Sequence, residues 1–317
     1  MSSLKDVGER QLIKNIRKVI RPAASVQGTE DDAAVLRSKG DTVVCSDIVT
    51  FERHRPEGMT SEQFGWTAAA VNFSDLAAMG AKPTGIIVSL AMPDEMDESE
   101  LYDMMSGIDQ CAEYCDTAVI GGDTKPGPGV ISCTAIGDME GRRPMMRSGA
   151  NPGDVIAITG ALGGPAAGFA ALKNGIDAED AIFSLMTPVP MIKEGIALSG
   201  CGKISSCIDL SDGLATAANT ICEQSRCGME IVCIDPKGRV ERILLGPNLE
   251  KGERMMAAIP SGVIFGARNL DSSGYTFVSC ATAPKFTYAG FRMVHRAEME
   301  KLCPAELPGF LQMIQTD

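Results

Sequence analysis

Thr60-Ser-Glu-Gln-Phe-Gly-Trp-Thr-Ala-Ala-Ala-Val-Asn-Phe-Ser-Asp-Leu-Ala-Ala-Met79 sets the frame for the rest of the chain. Its first four residues, Thr60-Ser-Glu-Gln63, have the spacing of a capping box, in which two side chains reciprocally satisfy the first free N–H groups of a helix. A long helix therefore starts near Thr60. From Phe64 to Met79 only Thr67, Asn72, Ser74 and Asp75 are polar, so most of the helix circumference is expected to be buried. Asn72 and Asp75, three apart, share one face. A buried carboxylate is costly unless it is paired, hydrogen-bonded or bound to metal. The plainer alternative is that this face is the solvated edge of the helix.

Working outward, an amphipathic helix is expected at Gly8–Ile20, and strand-like runs at Ala33–Leu36 and Thr42–Ile48. After the long helix come a strand at Gly85–Met92, a helix at Glu98–Tyr114, and strands at Ala118–Ile120 and Val130–Asp138. At least one hairpin-like return makes this α+β rather than a purely parallel sheet. Arg147-Ser-Gly-Ala-Asn-Pro-Gly153 is dense in turn formers and marks a boundary, giving domains 1–148 and 149–317. Beyond it the pattern reads as an α/β layer: a strand at Val155–Thr159 and a helix at Ala166–Lys173, then a strand at Ile204–Leu210, a helix at Asp212–Gln224 and a strand at Met229–Ile234. Short strands follow over Gly262–Met293, with a helix near Ala297–Leu302.

The 317 residues suffice for two domains, and 44% hydrophobic with 22% charged residues is ordinary for a globular protein. No apolar run reaches the ~20 residues that span a bilayer, and the polar N-terminus has no signal-peptide core, so a cytoplasmic protein is expected. The net charge of −12 argues against nucleic acid or an anionic membrane as partner. Eleven cysteines, most of them set singly among apolar residues, read as buried free thiols rather than zinc ligands.

Familiar catalytic motifs are missing. No glycine-rich loop ends in Gly-Lys-Ser/Thr, and Thr159-Gly-Ala-Leu-Gly-Gly-Pro-Ala-Ala-Gly168 lacks both the lysine and the dinucleotide spacing. Only His54 and His295 could serve a triad, and nothing sets a nucleophile beside either. What the sequence offers is aspartate in apolar company. Asp31-Asp32 precedes Ala-Ala-Val-Leu, and Asp47 follows Val43-Val-Cys-Ser46 at a strand end. Asp75 lies in the long helix, Asp123 closes Val119-Ile-Gly-Gly-Asp123, and Asp209 and Asp212 flank Ser211 where a strand hands over to a helix. Each alone could be a turn or cap residue. Together they suit hard cations that hold phosphate through a few carboxylates, which would also reconcile a chain of net charge −12 with an anionic substrate.

Gly28-Thr-Glu-Asp-Asp-Ala-Ala34, Val71-Asn-Phe-Ser-Asp-Leu-Ala-Ala-Met-Gly80, Gly121-Gly-Asp-Thr124, Arg147-Ser-Gly-Ala-Asn-Pro-Gly-Asp154 and Ile208-Asp-Leu-Ser-Asp-Gly213 closely resemble the thiamine-monophosphate kinase family, within the aminoimidazole-ribonucleotide-synthase and selenophosphate-synthetase superfamily. The resemblance implies a homodimer whose N-terminal sheets pair into a barrel, each followed by an α/β domain. It further implies ATP and several magnesium ions at the junction, with the γ-phosphate passing to thiamine monophosphate. Carried over residue by residue, Asp31, Asp47, Asp75, Asp123 and Asp209 match metal-binding positions, with Ser46 and Asp212 as further metal contacts. Gly122, Asp123, Arg147 and Ser211 match nucleotide contacts, and His54 a substrate contact. No residue stands out as a general base, and phosphoryl transfer by positioning and charge neutralisation needs none.

One segment departs from the family. Its Gly-Gly-Glu-Asp-Tyr-Glu-Leu, near the thiamine end of the site, finds its best counterpart in Asp271-Ser-Ser-Gly-Tyr-Thr-Phe277, which keeps Tyr275 but not the flanking carboxylates. Two other readings therefore stay open: a related enzyme acting on a different small phosphorylated acceptor, and a nucleotide-binding paralogue without turnover.

Overall fold

The long helix forms as its cap demands. Helix α4 (Ser61–Met79) begins at Thr60, whose hydroxyl accepts the Gln63 N–H while the Gln63 side chain accepts the Thr60 N–H, at 3.1 and 3.0 Å. It ends at Gly80, in the left-handed conformation (φ 76°) that glycine adopts without steric cost. The computed structural model describes residues 4–7, 9–21, 36–151, 154, 156–160 and 163–227, with 229–234, 240–245, 250, 252, 264–269 and 301.

Ahead of α4 come α1 (Leu4–Val7), α2 (Glu9–Val19), β1 (Thr42–Thr50) and α3 (Phe51–His54). After it run β2 (Lys82–Met92), α5 (Glu98–Tyr114), β3 (Val119–Pro126) and β4 (Val130–Asp138). The four strands make one mixed sheet in the order β1-β4-β2-β3. Strands β1 and β2 are antiparallel to β4, and β3 is parallel to β2 through the α5 crossover. Helices α4 and α5 pack together, and α4 lies on β1, β2 and β4. The two helices approach at glycines: a Cβ on Gly65 would collide with the Met104 carbonyl, and one on Gly107 with the Glu62 carbonyl. Phe64, Phe73, Leu76, Ile86, Met104, Ile108 and Ile131 are sealed between helices and sheet.

Two compact units emerge. The first joins Met1–Pro144 to Ala171–Gly202, a stretch that holds α7 (Glu179–Met186) and α8 (Ile192–Cys201). Both helices pack on α4, where the Trp66 indole donates to the Pro188 carbonyl at 2.6 Å. The second unit joins Met145–Ala170 to Lys203–Asp317. The expected boundary within 147–153 thus falls near the first of three crossings between units.

Helix α6 (Gly164–Asn174) spans the second of these crossings. The second unit also contains α9 (Leu214–Ser225) and the strands β5 (Met229–Ile234), β6 (Val240–Leu245) and β7 (Ile264–Asn269). These strands form a wholly antiparallel sheet, β6-β5-β7. Neither Ile204–Leu210 nor the described part of Val155–Thr159 is a strand. Their apolar runs gain no ladder: the Cys207 N–H makes a single bond to the Met146 carbonyl at 2.9 Å, and the segment stays irregular. The strand expected at Ala33–Leu36 and the helix near Ala297–Leu302 fall mostly outside the described residues. Among the described residues, no helix is long and apolar enough to cross a membrane.

Candidate active site

Strand β1 does not stop where Asp47 was expected to end it. The β-branched run Ile48-Val-Thr50 carries it on, so Asp47 lies inside a strand at the edge of the sheet. Register fixes which way each residue faces. Asp47 pairs with Cys133, Cys133 with Val88, and Val88 with Gly122, so these four share the helix-covered face. The next row, Ile48, Ser132, Ser89 and Asp123, shares the opposite face.

On the helix-covered face, Asn72 of α4 is fully buried. Its side-chain oxygen accepts the Asp47 N–H at 3.0 Å, while its amide donates to the Ala68 carbonyl at 3.0 Å. Asn72 thereby pins the edge strand to the helix at Asp47. Asp75, one turn further on, is half-buried on the same helix face, and the Asp47 carboxylate itself is exposed at the sheet edge. The Cys133 thiol registers this arrangement: burial first, and the nearby Asp47 carboxylate second, push its pKa up to about 12. The Asn72–Asp75 face is therefore not a solvated edge, since its first member is shut from solvent.

The opposite face holds Ser46 and Asp123. The Ser46 hydroxyl donates to the Cys133 carbonyl at 3.0 Å and lies 3.0 Å from the Thr134 hydroxyl. Asp123 pairs with Lys125 at 3.4 Å and lines a shallow depression of about 220 Å³ with Ser89, Ala91 and Ser132. Gly122 comes so close to β2 that a Cβ would collide with the Val88 carbonyl. The structure thus separates the neighbours Ser46 and Asp47, and Asp123 from Asp47, by the thickness of the sheet. At the C-terminal end of β1, the His54 Nδ1 accepts the Thr50 N–H at 3.0 Å. That bond leaves the ring proton on Nε2, at an exposed position where it can donate to a ligand.

In the second unit, Arg147 is exposed, and its guanidinium makes no hydrogen bond or ion pair among the described residues. Its backbone is fastened instead. Ser206 Oγ donates to the Arg147 carbonyl at 2.7 Å, and Ser225 Oγ accepts the Gly149 and Ala150 N–H groups at 3.1 and 3.0 Å. Asp154, almost fully buried, closes the turn by accepting the Asn151 N–H at 2.8 Å and the Ser205 hydroxyl at 2.6 Å. These supporting residues were not foreseen. Only Asp154, ending a run of turn formers, carried a local signal. Asp209 is half-buried, while Ser211 and Asp212 are exposed. Asp212 does not cap α9: Gly213 holds that position with φ 82° and no side-chain cap bond.

Asp31, and the Asp271–Phe277 segment, lie outside the described residues. The remaining donors are carboxylate and hydroxyl oxygens, which suits magnesium in kind. Among the described residues no three His, Cys, Asp or Glu groups converge into a cage. That too is compatible with magnesium, which is usually held by one or two carboxylates together with the phosphates of a substrate.

A mixed sheet backed by two helices, with oxygen donors on α4 and β1, belongs to a recognised class: residues 30–139 match the AIR synthase related protein, N-terminal domain. Residues 224–294 match a different description, Cupin superfamily (DUF985). Thiamine-monophosphate kinase of Mycobacterium tuberculosis (strain CDC 1551 / Oshkosh) is 35% identical over 228 residues, covering 70% of this chain and 68% of that one. Its counterpart from Methanopyrus kandleri is 36% identical over 208 residues, 65% of each chain. Among solved structures, thiamine-monophosphate kinase from Stenotrophomonas maltophilia K279a aligns with a TM-score of 0.62 and 25% identity, over 86% of this chain and 96% of that one. AaThiL complexed with AMPPCP and TMP shares the fold, with a TM-score of 0.59 and 22% identity over 90% and 98%. The chain belongs to the thiamine-monophosphate kinase family. It spans about two thirds of the length of the curated relatives it matches.

Proposed function

We propose that the protein transfers the γ-phosphate of ATP to thiamine monophosphate, forming thiamine diphosphate, with magnesium as the required metal. The observation that carries this reading is the Asn72–Asp75 face of α4, a polar strip on an otherwise apolar helix, pinned to β1 beside Asp47. Family membership and a structural relative that holds an ATP analogue together with TMP support it.

In this reading Asp47 and Asp75, with Asp31, would hold magnesium in the first unit, Ser46 and Asp123 would serve a separate ion on the opposite face of the sheet, and Asp209 and Asp212 are the donors of the second unit. Magnesium, when bound, neutralises phosphate charge. The remaining work is positioning by the chain's own residues. His54 offers its Nε2–H to an acceptor oxygen. Arg147 offers a two-pronged guanidinium to phosphate, on a backbone clamped by Ser206 and Ser225. Gly122 lets the backbone pass close to β2, and Ser211 supplies a hydroxyl to the nucleotide.

A homodimer accompanies this reading. The open face of the four-stranded sheet exposes Val44 and Ile48 at 59% and 58%, an apolar surface that a second copy would cover.

The test follows thiamine diphosphate by chromatography after mixing enzyme, ATP, magnesium and thiamine monophosphate. Product formation is expected, and its absence at millimolar acceptor would overturn the assignment. One observation favours a second reading. The segment expected to meet thiamine, Asp271–Phe277, falls inside the cupin-matching stretch. If another small phosphorylated metabolite stimulates ADP release where thiamine monophosphate does not, the acceptor is that compound.

A further inference from the structure

Helix α9 ends in a Schellman arrangement. The Arg226 N–H bonds the Glu223 carbonyl at 3.3 Å, and the Cys227 N–H reaches back to the Cys222 carbonyl at 3.1 Å. Arg226 between them is left-handed (φ 56°, ψ 39°). This motif sets the fourth-last helical side chain against the second residue beyond the helix, a contact that apolar pairs often fill. Here both positions are cysteine. Cys222 is 1% exposed and Cys227 half-buried, and both are free thiols.

The turn brings the two side chains together. A hydrogen bond from the Cys222 thiol holds the Cys227 pKa below the ordinary thiol value, against burial and the Asp154 carboxylate, which both push it up. The cationic Arg226 is its immediate neighbour in the chain. A thiolate-prone, reachable sulfur in contact with a second, shielded one is how an oxidisable pair is built. No other described cysteine combines these features. Cys111 and Cys115 also lie together, but both are buried and burial drives the Cys111 pKa far up. Cys201 is exposed, outside any such pair.

We propose that Cys222 and Cys227 form a hydroperoxide-responsive dithiol that closes to an intramolecular disulfide. The Cys227 thiolate attacks a peroxide oxygen, the O–O bond breaks, and the departing oxygen is protonated to water, leaving a sulfenic acid. The Cys222 sulfur then attacks that sulfur, the S–O bond breaks, and a second water leaves with the Cys222 proton. The peroxide is reduced by two electrons and the two thiols are oxidised by two. Ser225, on which the Arg147 loop hangs, lies between the two cysteines, so the disulfide would constrain the residue that fastens that loop.

The test uses the full chain, reduced, freed of reductant and treated with a small excess of hydrogen peroxide before alkylation and tryptic mapping. Trypsin cuts after Arg226, so a disulfide holds together two peptides that otherwise separate. The linked pair is expected to form about tenfold faster than Cys201 oxidises, and a dithiol reductant should reverse it. Cys222→Ser should stop at a sulfenic acid on Cys227 that dimedone traps, and Cys227→Ser should leave Cys222 alkylatable. If Cys201 oxidises first while Cys222 and Cys227 both remain alkylatable, the proposal is wrong. It is equally wrong if dimedone finds no sulfenic acid in Cys222→Ser.

Discussion

The two faces of the four-stranded sheet are made from the same strands and do opposite things. Toward α4 and α5 run Ile86, Val88, Leu90, Ile131, Cys133 and Ala135, nearly all sealed from solvent. Away from them run Val44, Ser46, Ile48, Ser89, Asp123, Ser132 and Thr134, exposed or half-exposed apolar residues alternating with hydroxyls and a carboxylate. A sheet with one face covered ordinarily turns a uniformly polar face to water. Here the outer face is mixed, which is how a surface looks when another body covers part of it. The inner face is as unusual in the reverse sense. At its rim the apolar layer gives way to Asn72 and Asp75 on the helix and Asp47 on the strand. Each face is thus interrupted by what it would normally exclude, and both interruptions serve the proposed chemistry: carboxylates to hold metal, and apolar surface to hold a second chain.

The largest expected effect comes from the inner rim. Asp75→Asn keeps the size and hydrogen-bonding shape of the side chain but removes its charge. Even residues one shell removed from a metal contribute 10–100-fold in affinity or activity, so loss of a carboxylate proposed as a direct ligand should lower thiamine diphosphate formation by at least about 100-fold. Far-UV circular dichroism should match the wild type. A folded Asp75→Asn enzyme with full turnover would remove the helix face from the site.

From the outer face the effect is smaller and appears in mass rather than rate. Ile48→Asp places a charge where 58% of the side chain already meets water in one protomer, so the single chain should fold normally. In a dimer closed over that face the same carboxylate would be desolvated. A cost of about 2 kcal/mol would weaken association roughly 30-fold. Light scattering across a dilution series should show the monomer at concentrations where the wild type is still dimeric. A wild-type monomer at micromolar concentration with full activity would dispose of the dimer altogether.

How much of this could be read beforehand depended on how local the determinant was. The capping box at Thr60 uses four consecutive residues, and α4 starts where they specify. Helix α5 and strand β4 likewise have their expected bounds, because their patterns lie within single segments. Strands were over-read at Ile204–Leu210, where β-branched and apolar residues satisfy the pattern but no neighbouring strand is supplied. Helix α8 escaped notice because Gly195 and Gly200 weaken its signal. Gly195 is there for packing, since a Cβ would collide with the Ala77 carbonyl of α4. The aspartates were legible as residues, but the face each one occupies was not. Ser46 and Asp47 are adjacent in sequence and part company across the sheet because strand side chains alternate. Which of the two meets α4 depends on a register that β4 sets from 87 residues away. In the last third the strand expected at Met229–Ile234 forms with those bounds, whereas the acceptor segment was legible only as a departure. Tyr275 stood without its carboxylates, and it lies within residues 224–294, the stretch that matches Cupin superfamily (DUF985).

The smallest effect probes the seam between the faces, at Cys133. This residue pairs with Asp47 across β1 and β4, and its thiol pKa rises from 9.0 to about 12, chiefly through burial and secondarily through the Asp47 carboxylate. The folded state therefore keeps its proton where the unfolded chain would release it. Below pH 9 both states are protonated and the full stability is present. As pH rises above 9, ionisation favours the unfolded chain alone, and stability falls until the folded pKa is reached. At pH 10 this one group should cost on the order of 1 kcal/mol relative to pH 8. Other buried thiols, such as Cys207 with its pKa raised by burial to about 11, add to the wild-type decline, so the informative quantity is a difference. Cys133→Ala should be less stable than the wild type at pH 8, because it leaves a small void. Between pH 8 and pH 10, however, it should lose less than the wild type in urea titrations, by on the order of 1 kcal/mol. Equal losses in the two proteins would mean that the Cys133 thiol ionises as freely in the fold as out of it, and that the inner face is wetter at Asp47 than its packing requires.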